Sequence, residues 1–288
     1  MPMMLCDRLL ESFLDEDVAR GDLTTHALAI GRRPGTIRFA VRAPAVVCCV
    51  EEAERLLIRA GVSTRRYRAS GDAVEANTLL LEGDGPAAAL HAVWKTAQTL
   101  LESACGIATA MRRIVEAARG ISPDISVECT RKATPGTRVL AARSVIAGGG
   151  SMHRLGLSES ILIFPQHAAF LGTAKDPGGT TALCERLPVL RRQHPGKKIM
   201  VEAWSMDSAV LLAEAGADVV QVDKFDVDAV RELVKRTCGL TPAVAIAAAG
   251  GINASNAAAY AATGCAALVT SAPYWAKPID VTVTIEAR

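Results

Sequence analysis

The 288-residue sequence is poor in aromatic side chains, which make up 4% of it, although half of its residues are apolar. A core assembled mainly from Ala, Val, Leu and Ile suits helices packed on a parallel sheet. Charge of one sign is also lacking. The formal net charge is +2, with acids and bases interspersed, so no overall field points to nucleic acid or to a membrane surface. No apolar run reaches the ~20 residues needed to span a bilayer. Met1 to Leu10 has neither the basic start nor the apolar stretch of a signal peptide, so a cytoplasmic location is expected. The eight cysteines contain no C-x-x-C pair and no histidine at ligand spacing, and read as buried, reduced thiols.

What is present is an alternation of sheet and helix. Residues 3–18 read as an amphipathic helix, 37–41 as a strand, 51–61 as a helix and 79–82 as a short strand; 87–118 reads as one long helix, or two joined at Gly106. From Ile125 the rhythm becomes regular. Apolar strands at 125–128, 161–163, 199–202, 219–223, 244–248 and 267–270 alternate with helical stretches. Continuously apolar strands separated by helices predict a parallel sheet covered on both faces, and five or more such units favour a closed or nearly closed barrel. Residues 281–285 alternate with period two, the pattern of an antiparallel strand that returns to the first domain.

Polar residues gather where the strands end: Glu128, Glu202, Asp223, and Gly250-Gly251. Barrel enzymes place functional groups at the carboxyl ends of their strands. After the 125–128 strand comes Thr-Arg131-Lys132-Ala-Thr-Pro135-Gly136, two cations ahead of a fixed turn. Arg matches carboxylate or phosphate oxygens with a planar fork, whereas Lys acts as a point charge. Next, Gly148-Gly149-Gly150-Ser-Met-His153-Arg154 sets three glycines before a second cationic pair, a run able to approach a ligand closely with its backbone. Two cationic pairs flanking a glycine run within about 25 residues form an anion-binding cluster rather than a decorated surface.

Together with Gly21-Asp22-Leu23-Thr24-Thr25, Cys105-Gly106-Ile107-Ala108-Thr109, Val201-Glu202, Val222-Asp223 and Gly250-Gly251-Ile252-Asn253, these motifs resemble, over nearly the whole chain, the quinolinate phosphoribosyltransferases. The resemblance implies an α/β protein with an N-terminal α/β sandwich domain over 1–110, joined by a C-terminal strand within 277–288. It implies an open α/β barrel over 111–276, and a homodimer or higher assembly whose neighbouring N-terminal domain completes each site. It implies small-molecule substrates, with phosphoribosyl pyrophosphate and Mg2+. By motif, Arg131, His153 and Arg154 would line a carboxylate pocket, and Lys132 would meet phosphate or pyrophosphate. Glu202 and Asp223 would hold ribose hydroxyls and the Mg2+–pyrophosphate unit, with Lys132, Glu202 and Asp223 as the catalytic set. Lys95, His167, Gly250 and Gly251 complete the substrate-binding residues implied.

Several departures mark one half of the pocket. Trp94-Lys95 stands where the family carries Glu-Arg, and Phe164-Pro165-Gln166-His167 where it carries Lys-Asp-Asn-His. Cys129, Met152 and Ala249 replace Asp, Asn and Ser. An apolar ring at the lysine position leaves a carboxylate of a dianion unpaired, at about 1.5–3 kcal/mol for one charged hydrogen bond. These changes are similar to those of a branch of the family associated with molybdenum transport. Three readings stay open: a phosphoribosyltransferase with an altered acidic, nitrogen-containing acceptor, a true quinolinate enzyme of NAD biosynthesis, and a non-catalytic binder of an oxyanion such as molybdate. His167 is either a substrate contact or a loop anchor. Lys224 either replaces the lost cation or pairs with Asp223.

Overall fold

The computed structural model describes residues 4–174, 176 and 178–288. They fall into two compact units, 4–112 with 133–149 and 273–288, and 113–132 with 150–272.

Unit 1 begins with α1 (Asp7–Val18) and α2 (Leu23–Ala27). The expected helix start at Met3 lies outside the described residues, and residues 4–6 are not helical. There follow β1 (Pro34–Val41), β2 (Ala45–Val46), α3 (Val50–Arg59), β3 (Ser63–Arg66), β4 (Ala73–Val74), β5 (Leu79–Pro86) and α4 (Ala87–Arg119). On β1, Ile37, Phe39 and Val41 alternate inward and are fully buried, the period-two signature of a sheet with one packed face. The main sheet is antiparallel in the order β13-β1-β5-β3, where β13 (Val281–Ala287) pairs along the whole of β1, from Val41↔Val281 to Gly35↔Ala287. The last strand of the chain is thus built into the sheet of the first. Leu56 and Leu57 of α3 and Leu90 and Leu101 of α4 fill the core against it. Helix α4 is continuous through Gly106. A Cβ there would meet the carbonyl oxygen of Lys277 at 2.6 Å, so the glycine admits the segment leading into β13.

Unit 2 carries β6 (Ser126–Cys129), and α5 (Arg138–Ala147) then belongs to unit 1. Unit 2 continues with β7 (Ser151–Met152), β8 (Ile161–Ile163), α6 (Pro165–Ala168), α7 (Thr180–Gln193), β9 (Ile199–Ala203), α8 (Met206–Glu214), β10 (Val219–Asp223), α9 (Val227–Thr237), β11 (Ala245–Ala249), α10 (Ala257–Ala261) and β12 (Ala267–Thr270). Seven strands run parallel in the order β7-β6-β12-β11-β10-β9-β8. No pairing joins β7 to β8 among the described residues, so the barrel is open along one seam. Helix α8 packs on β9 and β10, α9 on β11 and α10 on β12. Ser205 caps α8 by accepting from the Ser208 N–H at 3.1 Å, and Asp226 caps α9 by accepting from that of Ala229 at 2.8 Å. Along the sheet, β11 is Ala-Ile-Ala-Ala-Ala. A cavity of about 490 Å³ lies at the amino ends of the strands, lined by Ser126, Glu128, His153, Ser160, Lys198 and Ala247 among others.

Of the eight unbridged cysteines, five are buried, whereas Cys184 is half-buried and Cys6 and Cys238 are exposed. Among the described residues no helix is long and apolar enough to cross a membrane.

Candidate active site

Unit 2 brings most of the predicted residues to the carboxyl ends of its parallel strands. Arg131 and Lys132 follow β6, Glu202 lies in β9, Asp223 closes β10, and Gly250-Gly251 follow β11. His153 and Arg154 follow the two-residue strand β7, held by the His153 N–H donating to the Cys129 carbonyl at 2.9 Å, but His153 also lines the cavity at the amino ends of the strands and so reaches into the barrel interior. The 131–132 turn is pinned from beneath. The Thr130 hydroxyl lies 2.6 Å from that of Ser271 and accepts from the Lys132 N–H at 3.2 Å.

The electrostatics divide the group in two. Arg154 is only 6% exposed, and no ion pair among the described residues contains Arg154, Arg131 or Lys132. Burial, and then the guanidinium of Arg131 nearby, hold Arg154 below the usual arginine range. A buried cation whose electrostatic neighbour is a second cation is uncompensated within the chain, and an incoming anion would neutralise both. His153 is pushed below the usual histidine range, first by burial and also by Arg154, against the opposing pull of the Glu128 carboxylate. That carboxylate accepts from the Ser126 hydroxyl at 2.8 Å.

The second group is acidic. Desolvation raises Glu202 above the usual carboxylate range, and the charge of Asp223 adds to the effect, while Lys132 works against it. Two carboxylates and a lysine therefore share one field. Asp223 is exposed, and Lys224 beside it adopts φ 60°, a left-handed backbone uncommon outside glycine, fixed by its N–H donating to the Ala249 carbonyl at 2.8 Å. Gly250 explains why this close approach is possible. A Cβ at this residue (φ +88°) would lie 2.6 Å from both Asp223 Oδ1 and the Lys224 nitrogen. Gly251 has open space around it.

Other expected residues stand apart from this grouping. His167 is exposed and its Nδ1 accepts from the Phe164 N–H at 2.9 Å, with the two rings stacked at 5.8 Å between centroids. It therefore anchors the first turn of α6 and keeps Nε2 free of that role. Lys95 belongs to α4 of unit 1, where its ammonium lies 4.3 Å over the Trp94 ring and donates to Gln98 at 3.1 Å. The triple glycine is also used differently from the sequence expectation at its first position. A Cβ on Gly148 would strike the Ala108 carbonyl at 2.5 Å, so this glycine serves the packing of α5 against α4 rather than a ligand.

One residue went unremarked in the sequence. Gln221 is 5% exposed within β10, is the register partner of Glu202, and donates from Nε2 to Glu202 Oε2 at 2.7 Å. A single polar side chain inside Val-Val-Gln-Val was the available signal, since a buried amide needs partners.

With the geometry in place, comparisons with known proteins narrow the class. The profile described as "Quinolinate phosphoribosyl transferase, N-terminal domain" matches residues 22–105, and that described as "Quinolinate phosphoribosyl transferase, C-terminal domain" matches residues 107–284. The chain is 38% identical over 282 residues to ModD of Pasteurella multocida, covering 98% of each, and 41% identical over 257 residues to ModD of Rhodobacter capsulatus, covering 88% of this chain and 95% of the relative. Both relatives are named, provisionally, as pyrophosphorylases. Among solved structures, the nicotinate-nucleotide pyrophosphorylase of Ehrlichia chaffeensis superposes with a TM-score of 0.87 at 23% identity, covering 98% of this chain and 99% of that one, a likeness of fold.

Proposed function

The chain belongs to the quinolinate phosphoribosyltransferase family, and from that premise we propose that it transfers the phosphoribosyl group of phosphoribosyl pyrophosphate to an acidic, nitrogen-containing acceptor, releasing pyrophosphate. The observation that carries this reading is Arg154, buried beside Arg131 without a carboxylate partner, in the same unit as the Glu202–Asp223–Lys132 group. In this reading the acceptor nitrogen bonds to C1 of the ribose as the bond from C1 to the pyrophosphate oxygen breaks, and the electron pair leaves with pyrophosphate. Arg131 and Arg154 orient the acceptor through its acid group, and His153 lines the same pocket. Lys132 meets the departing phosphates, while Glu202 and Asp223 take the ribose hydroxyls and face the positive charge that develops on the ribosyl carbon.

The residues present fit Mg2+ as it usually binds. Asp223 is close enough for its charge to act on Glu202, and among the described residues no group of three or more candidate ligands forms a metal cage. Magnesium is commonly held by one or two carboxylates, with substrate phosphates and waters completing its shell. When bound with the substrate, the ion would offset the negative charge of pyrophosphate. Lys95 would serve a neighbouring copy's site in a homodimer.

Phe164, in place of a cation, favours an acceptor other than quinolinate. A non-catalytic oxyanion binder would have no use for two carboxylates beside its anion. Calorimetry with phosphoribosyl pyrophosphate and Mg2+ tests the proposal. Binding is expected in the native protein and should weaken at least about tenfold in Glu202→Ala, the loss of one charged contact. Absence of binding would sink the reading, and brisk release of CO2 from quinolinate together with pyrophosphate from phosphoribosyl pyrophosphate would sink the altered acceptor.

A further inference from the structure

Three buried polar atoms in unit 2 stand without an aligned partner among the described residues: Nε2 of His153, Oε1 of Gln221 and Oγ of Ser160. Two of them belong together. The Gln221 amide directs Nε2 to the Glu202 carboxylate at 2.7 Å, the only sensible orientation, because a carboxylate accepts and an amide oxygen would repel it. The amide oxygen is thereby left able only to accept. Gln221 also lies close enough to His153 to favour a proton on that ring. The other charged groups acting on His153 are Glu128 and Arg154. A half-buried imidazole held below its usual range carries one proton in its resting form, and that proton resides on either Nδ1 or Nε2.

We infer that Gln221 is a positioning residue that fixes Glu202 through its amide hydrogens and, through its amide oxygen, holds His153 as the Nε2–H tautomer. One side chain in the middle of β10 then joins the carboxylate placed at the ribosyl side to the histidine placed at the acceptor side. His153 consequently presents Nδ1 as an acceptor, so it recognises a donor on the ligand instead of adding a positive charge. Neither atom has another partner among the described residues, and the contact closes by reorientation of the imidazole ring. The assignment of the two sides rests on the function proposed above. The hydrogen-bonded chain itself does not.

Two independent readouts on the full-length protein test it. The first is 15N NMR of histidine-labelled protein at a pH where His153 is neutral, with its signals identified by their loss in His153→Gln. The native ring should show the Nε2–H pattern, and Gln221→Met should shift it toward the Nδ1–H form or a mixture. An unchanged pattern overturns the inference. The second is a double-mutant cycle on the affinity for phosphoribosyl pyrophosphate with Mg2+. Gln221→Met should weaken binding about five- to tenfold when Glu202 is present and add nothing in Glu202→Ala, whereas additive losses overturn the coupling. Should Gln221→Met fail to fold, Gln221→Leu serves, because it too removes both the amide oxygen and the amide donor. It should shift the tautomer and weaken binding, and native behaviour in either readout overturns the inference. If the native protein binds no phosphoribosyl pyrophosphate, the functional reading falls, while the tautomer measurement still decides the Gln221–His153 contact.

Discussion

Two arginines, one in each unit, are buried to nearly the same extent: Arg143 is 8% exposed and Arg154 is 6% exposed. Their surroundings are opposite. In unit 1, Arg143 contacts Glu51 at 2.9 Å and the fully buried Glu52 at 2.8 Å, and the Glu52 carboxylate above all holds it above the usual arginine range despite the cost of burial. In unit 2, Arg154 has a second arginine as its electrostatic neighbour and lies below that range. The first charge is settled inside the scaffold. The second has no compensating carboxylate among the described ion pairs, the arrangement expected of a binding site on the proposed function and not of a structural ion pair, although burial alone would class the two together.

The difference can be broken most forcefully on the scaffold side. Arg143→Met strands the buried Glu52 carboxylate and should destabilise the protein by about 3–5 kcal/mol in denaturant unfolding. A loss below about 1 kcal/mol would mean that Glu51 and Glu52 do not depend on it. On the site side the same substitution should behave differently. Arg154→Met removes an uncompensated charge, so stability should hold or rise. Its affinity for a pyridine carboxylate or pyrophosphate should fall about 10- to 100-fold, the worth of one charged hydrogen bond, and the thermal stabilisation those anions give should shrink accordingly. Loss of stability without loss of anion affinity would place Arg154 with Arg143 as scaffold.

The smallest effect concerns pH. Burial lowers His153 from the ordinary 6.5, so on acidification the unfolded chain takes up this proton before the folded one does. The folded state is favoured fully above about pH 6.5 and loses stability as pH falls from there through the lower value of the folded state. Urea midpoints of native protein and His153→Gln, compared at pH 7.5 and 5.5, should diverge at the higher pH and converge at the lower. Parallel shifts of the two midpoints would show that His153 does not titrate abnormally.

Much of this was legible from local patterning. The apolar runs at 161–163, 199–202 and 219–223 became β8, β9 and β10 with changes of at most one residue at their ends. The alternation in 281–285 became β13, because a strand with one exposed face carries its period in its own residues. By contrast, β7 is two residues long and left no periodic signal, although it delivers His153 and Arg154. The glycine pair at 250–251 stood out in the sequence, but its physical reason did not: Gly250 is needed because Asp223 and Lys224, nearly thirty positions earlier, occupy the space a Cβ would take. Gln221 carries little signal in the sequence for the converse reason. Its neighbours announce a buried strand, and only pairing with β9 reveals that its amide has a carboxylate to meet.

By itself the sequence determined the order of strands and helices, the loops that carry the cations, and the family, since each of these depends on residues near one another in the chain. It could not tell Arg143 in Ala-Ala-Arg-Ser from Arg154 in Met-His-Arg-Leu. The partner of Arg143 lies 91 positions away, and the charge that acts on Arg154 is that of another arginine, Arg131. Which cations are neutralised and which are left open was decided only by the tertiary structure, because charge compensation depends on distance and burial, and folding sets both.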